Sequence, residues 1–374
     1  MPRKAKTEEE AGKQSSGRDA IATVENSIFA SPTIVNMAIY AVLEAPQELY
    51  FGSHSEKNLN ILEKVVIDTE VVEDGGKVPV RIIKPYFSPT KQRGLERRAV
   101  AYSLVRKMVS EEGREVIELM PYYKYFNLSI DVTSTYEKGW PDPRDILTFL
   151  WGATWTTPAA YMRGRIGYGG GVAVQGAFER KQRNRVEYNM YEITEKKEGE
   201  EETAQMLWMK EYAEPHLLIP VVRHGILLGV EDYEPHAMAY AFLQGLILAG
   251  AGTPKGVDIL QAYWLSEAER EKTLVVDVGC WLLPEPVTIS PAILSPMEAL
   301  EEFKKKALRH PSFTNPEPSE IFEKAKNGVA VRLIGNTAYE FLRKLAESFA
   351  SNYLARIESL NTPRVKALQA GVNR

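Results

Sequence analysis

IVNMAIYAVLEAPQELYF, Ile34 to Phe51, reads as one long strand. β-Branched and aromatic residues recur through it with apolar alternation, which suits a pleated surface buried against a core. Proline has no N–H for a ladder, so a bend is expected near Pro46. Downstream, Lys77 to Pro85 is again strand-like. Ser88-Pro89-Thr90 leads into a helix in which Leu95, Ala99, Tyr102, Leu104, Val105 and Met108 share one face, with Gly113 as its expected stop.

Further along, Asp145 to Trp155 (DILTFLWGATW) resumes a buried element. Asn184 to Thr194 and Thr203 to Tyr212 predict two strands joined by the charged tip Glu195 to Glu202, a hairpin projecting into solvent. His216 to Val230 is a strand of branched residues, and Asp232 with Pro235 marks the start of the next helix. The apolar stretch Ala237 to Gly252, broken by Gln244 and Gly245, is too short to span a bilayer and reads as a buried helix. Thr273 to Leu283 predicts another strand. Ser295-Pro296-Met297-Glu298 is a capping box opening a helix to Arg309, and Thr337-Ala338-Tyr339-Glu340 is a second, opening a long helix to about Leu360. The order strand, helix, strand, hairpin, strand, helix, strand predicts an α+β fold with a ferredoxin-like β-α-β-β-α-β core carrying insertions.

Residues 21–360 are expected to form that single domain, with insertions near 53–76, 114–144 and 181–214 and a helical part near 295–360. Residues 1–20 read as a disordered polar tail without an apolar signal segment, and 361–374 as a flexible tail. The 374 residues are 44% hydrophobic and 26% charged, the composition of a soluble globular protein. Cys280 is the single cysteine, which excludes an internal disulfide framework and any CxxC metal knuckle; a cytoplasmic location is expected.

Charge is segregated along the chain. Lys77 to Lys107 and Tyr161 to Tyr188 together hold fifteen bases against three acids, leaving the remainder of a chain whose total is −4 at −16. A polyanion samples local potential within a Debye length of about 8 to 10 Å, so a mildly acidic chain can still bind nucleic acid. The candidate contacts are Lys84, Lys91, Arg93, Arg97, Arg98, Arg106, Arg163, Arg165 and Lys255 for phosphates. Tyr102, Tyr161 and Tyr168 are candidates for stacking bases, and Gly169, Gly170 and Gly171 for close approach of the backbone to a sugar-phosphate chain. Arg163 and Arg165 alternate along an extended segment, which would turn both to one side. A plain flexible glycine loop and solvated charged faces are the competing readings.

The glycine run lacks a Walker Gly-Lys-Ser/Thr and a GxGxxG fingerprint, and the chain has no GxSxG and no HExxH. Glu214-Pro215-His216 and Glu234-Pro235-His236 look like a matched pair, but a strand between them separates the two. A ribonuclease would draw on Asp131 or Asp142, which lie in the loop-rich insertion.

Phe149-Leu150-Trp151-Gly152, then Arg163-Gly164-Arg165-Ile166, Ala177-Phe178, the hairpin, Glu214-Pro215-His216 and Gly250-Ala251-Gly252 resemble the type I-D branch of the Cas-seven superfamily, often called Csc-two. Lys91, Arg93, Arg97, Arg98 and Arg106 are similar to that family's basic strand-to-helix segment. The resemblance runs over most of residues 21–283. It implies an RRM-like core, a thumb or lid at the hairpin, and sequence-independent binding of single-stranded CRISPR guide RNA. It also implies side-by-side stacking of copies as the backbone of an antiviral interference complex, with contact to other subunits and to target through the guide; the chain is expected not to be an enzyme, although type III relatives of the superfamily use an aspartate on target RNA. Relatives of the branch carry a cysteine-rich, zinc-knuckle-like run before the equivalent of Phe149. This chain has no cysteine there, so a structural zinc would need other ligands. A protein-only scaffold is a further alternative.

Overall fold

The computed structural model describes residues 34–49, 54–56, 59–73, 75–104, 106–111, 114–119, 146–156, 159–175, 183–188, 207–213, 215–229, 234–249, 258–260, 273–280, 283, 285–309 and 317–360. In chain order the elements are β1 Ile34–Glu44, β2 His54–Glu56, β3 Leu59–Ile61, β4 Lys64–Glu73, β5 Gly76–Phe87, α1 Pro89–Leu104, β6 Arg106–Glu111 and β7 Arg114–Leu119. There follow α2 Ile146–Trp151, β8 Gly152–Thr156, β9 Ala159–Arg163, β10 Ile166–Tyr168, β11 Gly171–Val172, β12 Arg183–Tyr188, β13 Leu207–Tyr212 and β14 Leu218–Gly229. The last are α3 Glu234–Leu248, β15 Asp258–Ile259, β16 Leu274–Gly279, α4 Pro296–Ala307, α5 Pro318–Lys326, β17 Val331–Ile334 and α6 Asn336–Leu360. The fold is mixed α+β.

β1 is the centre of the main sheet, whose order is β10-β14-β1-β16-β17, antiparallel throughout, with β15 pairing the end of β1. Both faces of β1 are buried. Val35, Met37, Ile39, Ala41 and Leu43 pack with residues of α1, α3, α5 and α6, while Ala38, Tyr40 and Val42 pack with Val287 and with Ala299, Leu300 and Phe303 of α4. A strand covered on both sides has no polar face, so its sequence is nearly continuous in apolar residues. The strand stops at Glu44, two residues before Pro46, and Leu49 keeps only an isolated bridge to Ala213.

The second face is closed by a strap, residues 285–295, running into α4. Its ties are polar. Arg332, on β17 and fully buried, holds Asp277 of β16 through two hydrogen bonds of 2.7 Å and also donates to the carbonyls of Glu285 and Lys306 at 3.1 and 2.9 Å. Tyr40 lies close to this pair, and burial, then the Asp277 charge, pushes its phenol up to about 12. Ser295 caps α4 by accepting from the Glu298 amide at 3.4 Å, as the capping box predicts. The second box is displaced: α6 begins at Asn336, after Gly335 in the left-handed region at φ 61°, which places Thr337 inside the helix.

Smaller sheets flank this core. β4 and β5 form a hairpin with β11 added to β5; β12 and β13 pair antiparallel, as expected of the hairpin strands, and β3 joins β13 in parallel. The hairpin tip lies outside the described residues. The helix after Ser88 is shorter than expected. α1 ends at Leu104, and Arg106 to Glu111 pairs with Arg114 to Leu119 as a β-hairpin, β-branched Val109, Val116 and Ile117 favouring the ladder over another helical turn.

Candidate nucleic-acid interface

α1 buries Leu95, Ala99 and Val100 against the sheet and carries the basic residues along its other sides. Lys91, Arg97 and Arg98 are half-buried and Arg93 is exposed. Gln92 is fully buried and fixes the start of the helix, its side-chain amide donating to the carbonyls of Phe87 at 2.7 Å and Gly169 at 2.8 Å.

The short helix α2 is where the cations converge. Its carbonyl end attracts positive charge. Arg93 Nη2 donates to the Trp151 carbonyl at 2.6 Å, and the Arg165 amide donates to the Leu150 carbonyl at 2.8 Å. Arg163 stands opposite Gly152 in the β8–β9 ladder. Gly152 has φ 75°, the left-handed value that ends a helix without steric cost. Between the two arginines, a Cβ on Gly164 would fall 2.7 Å from the Trp151 carbonyl carbon, so only glycine lets this segment pack so close. Arg93, Arg163 and Arg165 are thus gathered around residues 150–152. Arg163 is exposed, and its guanidinium has no partner among the described residues.

Arg163 and Arg165 are not alternate residues of one strand. β9 ends at Arg163, the chain bends at Arg165, and β10 begins at Ile166 in the main sheet. Contact with the α2 terminus, rather than the period-two rule, places them together.

Several expected contact residues face the protein instead. Tyr168 does not offer its ring to a base: its hydroxyl donates to Glu96 Oε2 and accepts from Trp151 Nε1, both at 2.7 Å. Burial, and then the negative Glu96, holds its phenol well above the ordinary range. Glu96 also accepts from Arg223 Nε at 2.6 Å, and the Arg223 guanidinium lies 5.8 Å from the Tyr168 ring centre and 5.1 Å from that of Phe242. This network joins α1, α2, β10, β14 and α3 beneath the cation cluster. Lys84 is 1% exposed and donates to the Ile293 carbonyl of the strap, so it is not a surface cation; burial lowers its amine to about 8.

The glycine run approaches the protein's own chain. A Cβ on Gly169 would meet Val222 Cγ1 at 2.2 Å, one on Gly170 the Tyr86 hydroxyl oxygen at 2.2 Å, and one on Gly171 Ile219 Cγ2 at 2.7 Å. These glycines carry the chain across β14 from the main sheet to β5.

Sequence reading missed Glu96, Arg223 and Gln92. Glu96 is the lone acid among nine bases, and Arg223 is a lone charge within an apolar strand; each is the mark of a buried paired group. Tyr102 in α1, Arg106 in β6 and Tyr161 in β9 have side chains outside the described residues, and Lys255, Asp131 and Asp142 lie outside them altogether. Among the described residues no group of three His, Cys, Asp or Glu could hold a metal ion, and no helix is long and apolar enough to cross a membrane. His216 Nδ1 lies 2.8 Å from Glu44 Oε1, whereas His236 packs against Phe322 with ring centres 5.9 Å apart.

No known family profile and no curated protein matches this sequence. Solved structures similar to the chain include the crystal structure of Thermofilum pendens Csc2, at 15% identity over 90% of this chain and 92% of that one, with a TM-score of 0.37. A type IV-B CRISPR complex is similar at 8% identity over 62% of this chain and 92% of that one, with a TM-score of 0.30. A CRISPR RNA-guided surveillance complex is similar at 10% identity over 79% of this chain and 87% of that one, with a TM-score of 0.31. The structural neighbours of this chain thus include Csc2 and chains of CRISPR complexes.

Proposed function

We propose that the chain binds single-stranded CRISPR guide RNA without sequence preference and serves as a repeated, non-enzymatic backbone subunit of a cytoplasmic type I-D interference complex. The observation that carries this reading is the gathering of Arg93, Arg163 and Arg165 at the end of α2, with Arg163 exposed and unpartnered among the described residues. A guanidinium fixed on a rigid element holds a phosphate oxygen while leaving base edges free to pair with a target. The motif resemblance supports the CRISPR assignment and the thumb role of the β12–β13 hairpin.

A ferredoxin-like, RRM-like core is supported by the strand order. β1, β10, β14 and β16, with α1 and α3, follow β-α-β-β-α-β order in the chain and lie as β10-β14-β1-β16 in the sheet. An ordinary RRM binds RNA on its open sheet face, but here the strap and α4 cover that face. The RNA path therefore runs along the α1, α2 and β9 side.

Fluorescence anisotropy of unrelated single-stranded RNA oligomers, titrated across a salt series, tests the reading. Comparable affinities for all sequences are expected, with Arg163→Ala weakening each by a similar factor. The variant should also make the log–log salt slope shallower by roughly 0.7, the loss of one phosphate contact. Absence of binding at low salt, or a variant effect confined to one sequence, would refute the proposal.

A further inference from the structure

The strap leaves a cleft of about 180 Å³ between itself, the β10–β11 connection and β14. Its apolar lining includes Val172, Val222 and Val287, Gly170 stands at its rim, and Ser290 is a polar group on the strap side. Lys84, reaching in from β5, also lines it.

That lysine is electrostatically uncompensated. Its Nζ donates to one main-chain carbonyl, that of Ile293, and no carboxylate partners it among the described residues. An ammonium has three N–H groups, and a buried cation without a counter-charge is costly unless an anion or a change of protonation relieves it. A salt bridge inside the fold would have served structure alone; here the buried lysine, with one carbonyl as its acceptor among the described residues, is one of the residues that line the cleft. We propose that this cleft is a binding site for a small monocarboxylate with an apolar body, the carboxylate pairing with Lys84 and the body lying against the valines. The volume suits a benzene-sized group, since an apolar cavity of about 150 Å³ takes benzene. Inorganic phosphate could meet Lys84 and the Thr288 and Ser290 hydroxyls but has no apolar body to lie against the valines, which makes it the control for the apolar half of the site. The site is separate from the Arg163 cluster and independent of the RNA-binding reading.

Benzoate is the probe, titrated calorimetrically into the full chain. Saturable one-to-one binding with a Kd on the order of 1 mM is expected at pH 7, a value reasonable for so small a ligand. Affinity should fall roughly tenfold or more between pH 7 and pH 10 as the amine loses its proton. Lys84→Met should abolish binding while leaving RNA affinity unchanged. Should that variant misfold, the pH profile of the unaltered protein decides alone. Binding that ignores pH, survives in Lys84→Met, is absent at about 10 mM benzoate, or is matched by inorganic phosphate would overturn the proposal.

Discussion

Lys84 and Tyr168 illustrate how a residue's chemistry depends on the side of the chain it occupies. Both sit in stretches rich in bases, aromatics and glycine, and both turn inward, Lys84 to the strap and Tyr168 to Glu96. Local composition marks such residues as polar but does not say which neighbour satisfies them. The Lys84 amine falls from 10.5 to about 8 on folding because burial disfavours its charged form. Its sign is definite: between those values the unfolded chain holds the proton and the folded chain has lost it, so stability rises with pH across that window. Below about 8 both states are protonated and the full cost persists. Urea denaturation from pH 7 to 11 should therefore show Lys84→Met gaining on the unaltered protein at neutral pH and losing that advantage toward pH 10.5. The difference is up to about 3 kcal/mol, less where water reaches the amine from the cleft.

Elements were legible in the sequence where hydrophobic periodicity and turn chemistry agreed. β1 starts where expected but ends at Glu44 rather than running on to Phe51, whereas β14, α3 and α4 fall close to their expected positions because long apolar runs and a capping box fix them. The α1 terminus did not, since the residues after Leu104 continue the helical spacing of apolar groups while pairing with β7 decides their conformation. The candidate site was legible in part. Arg93, Arg163 and Arg165 were marked by charge, but α2, six residues long, is the element that collects them, through backbone carbonyls that carry no side-chain signal. Gly164 is the residue on which that collection depends. Gly164→Ala places a methyl against the Trp151 backbone, which cannot rotate away as a side chain can, and should cost about 1–3 kcal/mol in denaturant midpoint measurements. RNA affinity should fall with it, because Arg163 and Arg165 flank the displaced peptide.

At the scale of the molecule, the sheet is sandwiched: helices cover one face and the strap with α4 covers the other. The Arg332–Asp277 pair is the buried polar fastening of that second layer, with the two side chains 0% and 1% exposed. Arg332→Leu leaves the Asp277 carboxylate buried without its guanidinium and should destabilise the protein by about 3–5 kcal/mol, read as a lowered midpoint in urea. Limited proteolysis should then cut within 285–309 before the β-sheet core, since the Glu285 and Lys306 carbonyls lose the same partner. The sequence did not disclose this fastening, because Asp277 and Arg332 lie 55 residues apart and the strand that carries Arg332 is not among those expected from the sequence. That separation sets a timetable for synthesis. β16 leaves the ribosome well before β17, and translation at about 5–20 residues per second puts roughly 3 to 11 s between them. Until Arg332 has been made, the strap and α4 that cover Ala38, Tyr40 and Val42 lack their buried fastening, so the second layer can dock early but is locked only late.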